Sequence, residues 1–139
     1  MSKTKLGEGI AVIDVDSTVE GTVNHVQNPR EVIDLTSEDL SDRIGCVRAG
    51  TSAFASPLLA NGVGGLITME GAPQSHLGIV SREYNIPCIM SLEPAEGLVD
   101  SEPDTDAFFE EWGQVLDGRT VSFETEAAEG RIKGEVFEV

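Results

Sequence analysis

Positive charge is what this sequence has least of: nine Lys and Arg stand against 25 Asp and Glu, for a net charge of −16. Phosphate backbones are bound by cationic neighbours, so this balance argues against nucleic acid as a partner. It argues equally against an anionic membrane surface. The acidic excess reads as a solvated coat, such as an adaptation to salt, ahead of a docking face for a basic partner. Aromatics make up only 5% of the chain, so its core must come from Val, Ile, Leu and Ala. Cys46 and Cys88 are its two cysteines. With no CxxC and no paired histidines they make no zinc site, and each sits at the edge of an apolar run, where a thiol acts as a small hydrophobe. No apolar run approaches the length of a membrane span, and the start MSKTKLGEGIAVIDVD is not a signal peptide. The expectation is a cytoplasmic protein with reduced thiols.

Other absences narrow the chemistry. No Ser-His-Asp set or Cys-His pair supports hydrolysis. No GxxxxGK(S/T) is present, so ATP is not bound by a P-loop, and GVGG at 62–65 has the wrong spacing for a dinucleotide fingerprint. Asp100, Glu102, Asp104, Asp106 and Glu111 mimic EF-hand spacing loosely, but Pro103 and Thr105 stand where such a loop cannot take them. No metal site is expected.

What is present fits one domain over 139 residues, of which 40% are hydrophobic. The first third reads as β: Gly9–Asp16, Gly21–Gln27 and Arg30–Leu35, separated by turn signals. His25 reads as an exposed strand histidine. The middle alternates, with strands at Gly45–Gly50, Gly64–Met69 and Pro87–Leu92 and helices at Ser52–Gly62 and Ser75–Asn85. That order implies a parallel βαβαβ layer with right-handed crossovers. Residues 93–112 form an acidic segment: a loop feeding a helix capped by Asp104, Thr105 or Asp106, with Phe108, Phe109, Trp112, Val115 and Leu116 at helical spacing. RTVSFET and GRIKGEVFEV alternate strongly and read as a closing hairpin.

The most informative stretch is EGAPQSHLGIVSREYNIPC, from Glu70 to Cys88. The strand before it ends where open α/β sheets place their ligands. Gly71 lets the loop turn. Ser75 is suited to cap the helix, which puts His76 at its first position. The partial positive charge of a helix N-terminus disfavours imidazolium and leaves a neutral, nucleophilic nitrogen near pH 7. The same field stabilises a phosphoryl dianion held there. Each effect is worth about 0.3–1 kcal/mol when exposed. The competing reading of His76, as a capping or packing residue, stays open on these grounds.

GGLITMEGAPQSHLGIVSREYNIPCIM resembles the phosphohistidine, or PEP-utilising enzyme, mobile domain family. Thr68, Gly71, Ser75, His76, Ile79, Val80, Arg82, Glu83, Ile86 and Pro87 carry the likeness in register. GCVRAGTSAFASPLLANGVGG is similar to the family's preceding strand and helix, and LDGRTVSFETEAAEGRI to its closing hairpin. The likeness runs from about Gly45 to Ile132, with 93–112 as an insertion in a single domain over 1–139.

The resemblance implies a swivelling β/β/α domain of the α/β class. Its parallel βαβαβ layer would carry the histidine loop, and a β-rich layer would come from the N-terminal third and the C-terminal hairpin. It implies that His76 is phosphorylated at Nε2. Ser75, Gln74, Gly71, Thr68 and Arg82 are the expected phosphate or partner contacts. The chain itself would bind no cofactor. ATP and Mg would sit on a separate ATP-grasp subunit, and another subunit would bind the acceptor, such as pyruvate or a phenol. The family often has Thr two residues before the histidine; here Gln74 lacks the hydroxyl that some members modify. Gly78 follows in place of a helix-favouring alanine, which points to close backbone packing. Alternatives are a non-catalytic assembly or regulatory module with an inert His76, and the small swivelling subunit of a hydro-lyase.

Overall fold

The structure is a computed structural model. It describes residues 4–13, 19–26, 29–36, 39–47, 57–58, 60–69, 79, 82–102, 105–128 and 131–138. Seven strands are described: β1 (Thr4–Ala11), β2 (Val19–His25), β3 (Arg43–Val47), β4 (Gly65–Thr68), β5 (Cys88–Pro94), β6 (Thr120–Ala128) and β7 (Arg131–Glu138). The described helices are α1 (Pro29–Thr36) and α2 (Asp106–Leu116).

The strands close into one barrel in the order β1-β5-β4-β3-β2-β6-β7. This corrects the expected fold. In place of a parallel βαβαβ layer stacked on a separate β-rich layer, every described strand belongs to one closed sheet. β2 to β5 run parallel to one another, while every pairing that involves β1, β6 or β7 is antiparallel. The physical reason is edge satisfaction. β1 is paired along both edges, with β5 (Gly7↔Pro94) and with β7 (Glu8↔Glu135), so no edge is left for a second sheet.

Periodicity of two sorts the apolar side chains into two cores. Leu6, Val23, Ile44, Cys46, Ile67, Ile89, Val121, Phe123 and Val136, drawn from all the strands, pack together as the barrel interior. The alternate positions Val47, Leu66, Cys88 and Met90 pack outside with Leu40, Leu58, Val63 and Ile86. The parallel strands are therefore buried on both faces, which explains their unbroken apolar runs. The register of β1 shifts twice, against β7 between Lys5 and Gly7 and against β5 between Glu8 and Ile10. Glu8 pairs with Glu93 but Ile10 with Met90, so β5 carries an extra residue, and Ser91 takes the left-handed region at φ 53°. Leu92 then faces the interior cluster.

A second correction concerns Arg30–Leu35, expected as a strand. It is helix α1, opened by Pro29 with Glu31 in its first turn. The Val-Ile pair reads as β by composition, yet Ile33 is 67% exposed on this helix.

Helix α2 plugs the barrel end at which β2 to β5 finish. Thr105 is its N-cap, its hydroxyl accepting from the Phe108 N–H at 3.1 Å and donating to the Glu102 carbonyl at 2.8 Å. Phe109, Trp112 and Leu116 join the interior core. The Trp112 indole N–H donates to the Leu92 carbonyl at 3.0 Å, which ties the plug to the bulge. No described helix is long and apolar enough to cross a membrane.

The bulge depends on Gly9, where a Cβ would stand 2.5 Å from the Met90 carbonyl oxygen. Gly9→Ala is expected to lower unfolding free energy by about 1–3 kcal/mol, the range for overpacked positions, read from urea denaturation.

Candidate functional site

β4 delivers the chain to the plugged end. Val47, the last residue of β3, is in register with Thr68, the last of β4, and His25, the last of β2, with Cys46. The carboxyl ends of these parallel strands are thus level. Thr68 is fully buried there. The Met69 N–H donates to the Val47 carbonyl at 3.2 Å, extending the ladder one residue past the strand. Gly71, Gln74, Ser75 and His76 lie outside the described residues.

The far side of the segment is fixed by its own stop signal. Ile79, Arg82 and Glu83 are helical and exposed. Asn85 takes the left-handed region at φ 56°, and its N–H donates to the Arg82 carbonyl at 3.1 Å. Asn is, after Gly, the residue that best ends a helix in this way. Ile86 is buried, and Pro87, which cannot continue a helix, accepts from the Leu66 N–H at 2.9 Å through its carbonyl. The segment from Thr68 to Pro87 therefore begins and ends on backbone bonds to the parallel strands. Of the expected contact residues, Thr68 and Arg82 are described, the first buried at the strand end and the second exposed on the helix.

The acidic segment is organised by one carboxylate. Glu111 accepts from the Asp100 N–H at 3.0 Å, the Ser101 N–H at 3.2 Å and the Ser101 hydroxyl at 2.6 Å. The Ser101 hydroxyl above all holds this carboxyl below its ordinary range. Glu111 is thus engaged in clamping the loop to α2. Among the described residues no group of His, Cys, Asp or Glu is arranged to hold a metal ion.

His25 differs from its sequence reading. It is half-buried rather than exposed, and its ring lies against Gly113 of α2 so closely that a Cβ there would overlap it. Its backbone N–H donates to the Asp117 carboxylate at 2.8 Å. Burial pushes the imidazole below its ordinary value, against the raising pull of Asp117, Glu31 and Glu110. The signal for this contact was in the sequence: a glycine inside the apolar face FFEEWGQVL, costing about 1 kcal/mol of helix propensity, marks a close approach. Beside it, Cys46 is wholly buried and its thiol is pushed up to about 12, so it stays protonated and unreactive.

Compared with known proteins, residues 46–108 match the family model described as PEP-utilising enzyme, mobile domain. The match runs from β3 into the first turn of α2 and takes in the whole His76 segment. No curated protein matches the chain.

The turn at Asn85 yields a test. Asn85→Ala is expected to cost about 1–2 kcal/mol of stability, the penalty of a left-handed Cβ, and Asn85→Gly none of it. Paired urea denaturation curves distinguish the two.

Proposed function

Because residues 46–108 match the PEP-utilising enzyme mobile domain model, we propose that the chain is a phosphohistidine carrier in which His76 takes a phosphoryl group from ATP on a partner and passes it to an acceptor. The single observation that carries this reading is the family match across the Ser75-His76 motif. In the first half-reaction an imidazole nitrogen forms a P–N bond as a P–O bond of ATP breaks. In the second the P–N bond breaks and an acceptor oxygen takes the phosphorus. Neutral imidazole is needed for the first step, and a stabilised dianion between the two. A helix N-terminus favours both.

The finer parts of the proposal follow from the chemistry. In keeping with the family resemblance, ATP and its Mg are carried by a partner of the ATP-grasp type. The acceptor is a small oxyanion such as pyruvate, or a phenol. Ser75, Gln74 and Gly71 contact the phosphoryl group or the partner. Arg82, exposed on the helix, serves the docking of that partner, and Thr68 fixes the strand end beneath the loop. The setting is the cytoplasm.

The reading is tested by incubating the chain with a candidate ATP-grasp subunit, Mg and radiolabelled ATP. The expected result is a protein-bound label that is acid-labile and base-stable and is lost in His76→Ala. A label that persists in His76→Ala, or one stable to acid, contradicts it.

A further inference from the structure

The chain has four asparagines, and one of them precedes a glycine: Asn61-Gly62. This pair stands in the turn that leads from the helical residues 57, 58 and 60 into β4. Both residues are exposed. Gly62 takes the left-handed region at φ 77°, and a Cβ there would meet nothing within 4 Å. Its N–H has no partner among the described residues. The N–H groups on either side are engaged, Asn61 donating to the Pro57 carbonyl at 3.1 Å and Val63 to the Leu58 carbonyl at 3.2 Å. The Asn61 side-chain amide also donates to the Pro57 carbonyl, at 2.7 Å, but this bond lies at the surface, where water competes for both partners. The other such pairs are closed. Asp117-Gly118 has the same turn, with Gly118 at φ 81°, yet the Gly118 N–H donates to the Val23 carbonyl at 2.8 Å and the Asp117 carboxylate accepts from the His25 N–H at 2.8 Å. Asn24 precedes His25, whose N–H is that donor, and Asn85 precedes Ile86, which is β-branched and buried. Asn28 precedes Pro29, which has no N–H.

We propose that Asn61 is a site of spontaneous covalent modification, at which the Gly62 nitrogen closes a succinimide ring on the Asn61 side chain. The Gly62 nitrogen gives up its proton and bonds to Asn61 Cγ. The Cγ–Nδ2 bond breaks, and ammonia leaves carrying that proton. Water then opens the ring. Attack at Cγ breaks the new Cγ–N bond and leaves aspartate; attack at the main-chain carbonyl carbon breaks the original peptide bond and leaves isoaspartate, with the chain running through Cγ. No oxidant, metal or enzyme is needed. Gly62 favours the closure because no Cβ shields its nitrogen and no bond holds its proton. Either product loses the side-chain donor to the Pro57 carbonyl and places a carboxylate at the C-terminal end of the helical turn, where negative charge is unfavourable. Isoaspartate also adds a methylene to the main chain just before Gly64, whose N–H donates to the Leu40 and Arg43 carbonyls at 2.9 Å and sets the start of β4. Modification therefore loosens the entry of β4 and not the strand end that leads to His76. It is independent of the phosphoryl-carrier reading.

The whole folded chain is incubated in mildly alkaline buffer, which favours loss of an amide proton. It is sampled over weeks by ion exchange and by peptide mass spectrometry with fragmentation that separates aspartate from isoaspartate. The expected result is a new species, more negative by a single charge, with the change mapped to residue 61 and with Asn24, Asn85 and Asp117 unaltered. A parallel sample in urea should also isomerise at Asp117-Gly118, because unfolding frees the Gly118 N–H from Val23. Asn61→Gln, whose longer side chain would have to close a larger ring, should lose the new species. Asn61 unaltered in the folded chain, whether or not it converts in urea, overturns the proposal. So does conversion at Asn24, Asn85 or Asp117 of the folded chain as fast as at Asn61, or the same acidic species in Asn61→Gln. Should Asn61→Gln not fold, the mapping in the native chain decides alone.

Discussion

β1 is hydrogen-bonded along both of its edges, and the rest of the molecule depends on that closure. A parallel run such as β2 to β5 leaves two open edges, each a row of unpaired backbone groups. Here β1 covers β5 on one side, and β6 covers β2 on the other, with β7 joining them. The closed interior is narrow enough for side chains to fill it. Few of them are aromatic: Phe109, Trp112 and Phe123 stand among Val, Ile, Leu and other small apolar residues. The bulge at Ser91 and the close approach at Gly9 are what closure requires of β1 and β5. Surface ion pairs on the antiparallel side, Lys5 with Glu8 and Glu135 and Lys133 with Glu8, are exposed or half-exposed and add little to it.

Closure also decides where chemistry is placed. Parallel neighbours must be joined by long crossovers, and the crossover from β4 to β5 carries His76. Its ends are held by backbone bonds at Met69 and Pro87, so the histidine motif is strung between two fixed points of the barrel. α2 fills the same end and holds Asp100 and Ser101 of the acidic segment through Glu111. The family model matched by residues 46–108 suggests what this placement is for.

Much of this was legible in the sequence, and the rest was hidden for identifiable reasons. The β4 run GLIT, the helix stop at Asn85-Ile86-Pro87, the capped helix after Thr105 and the closing hairpin are all local signals, written within a few residues of where they act. Sheet closure is not local: Glu8 meets Glu93 and Glu135 across most of the chain, and no periodicity names a strand's second partner. The same holds for His25, whose burial depends on Gly113 arriving from a distant helix. Arg30–Leu35 was misread because adjacent β-branched residues outweighed the proline that starts α1. The residues of the histidine motif were recognisable by type and spacing, and the family match covers them, though Gly71 to His76 lie outside the described residues.

The central claim, one closed barrel in place of two layers, is tested most directly at Glu8. Nuclear Overhauser contacts from the backbone of this one residue are expected to both Glu93 and Glu135 in the same sample. Contacts to Glu135 alone, with β5 showing fast-exchanging edge amides, would mean an open sheet and would contradict the account.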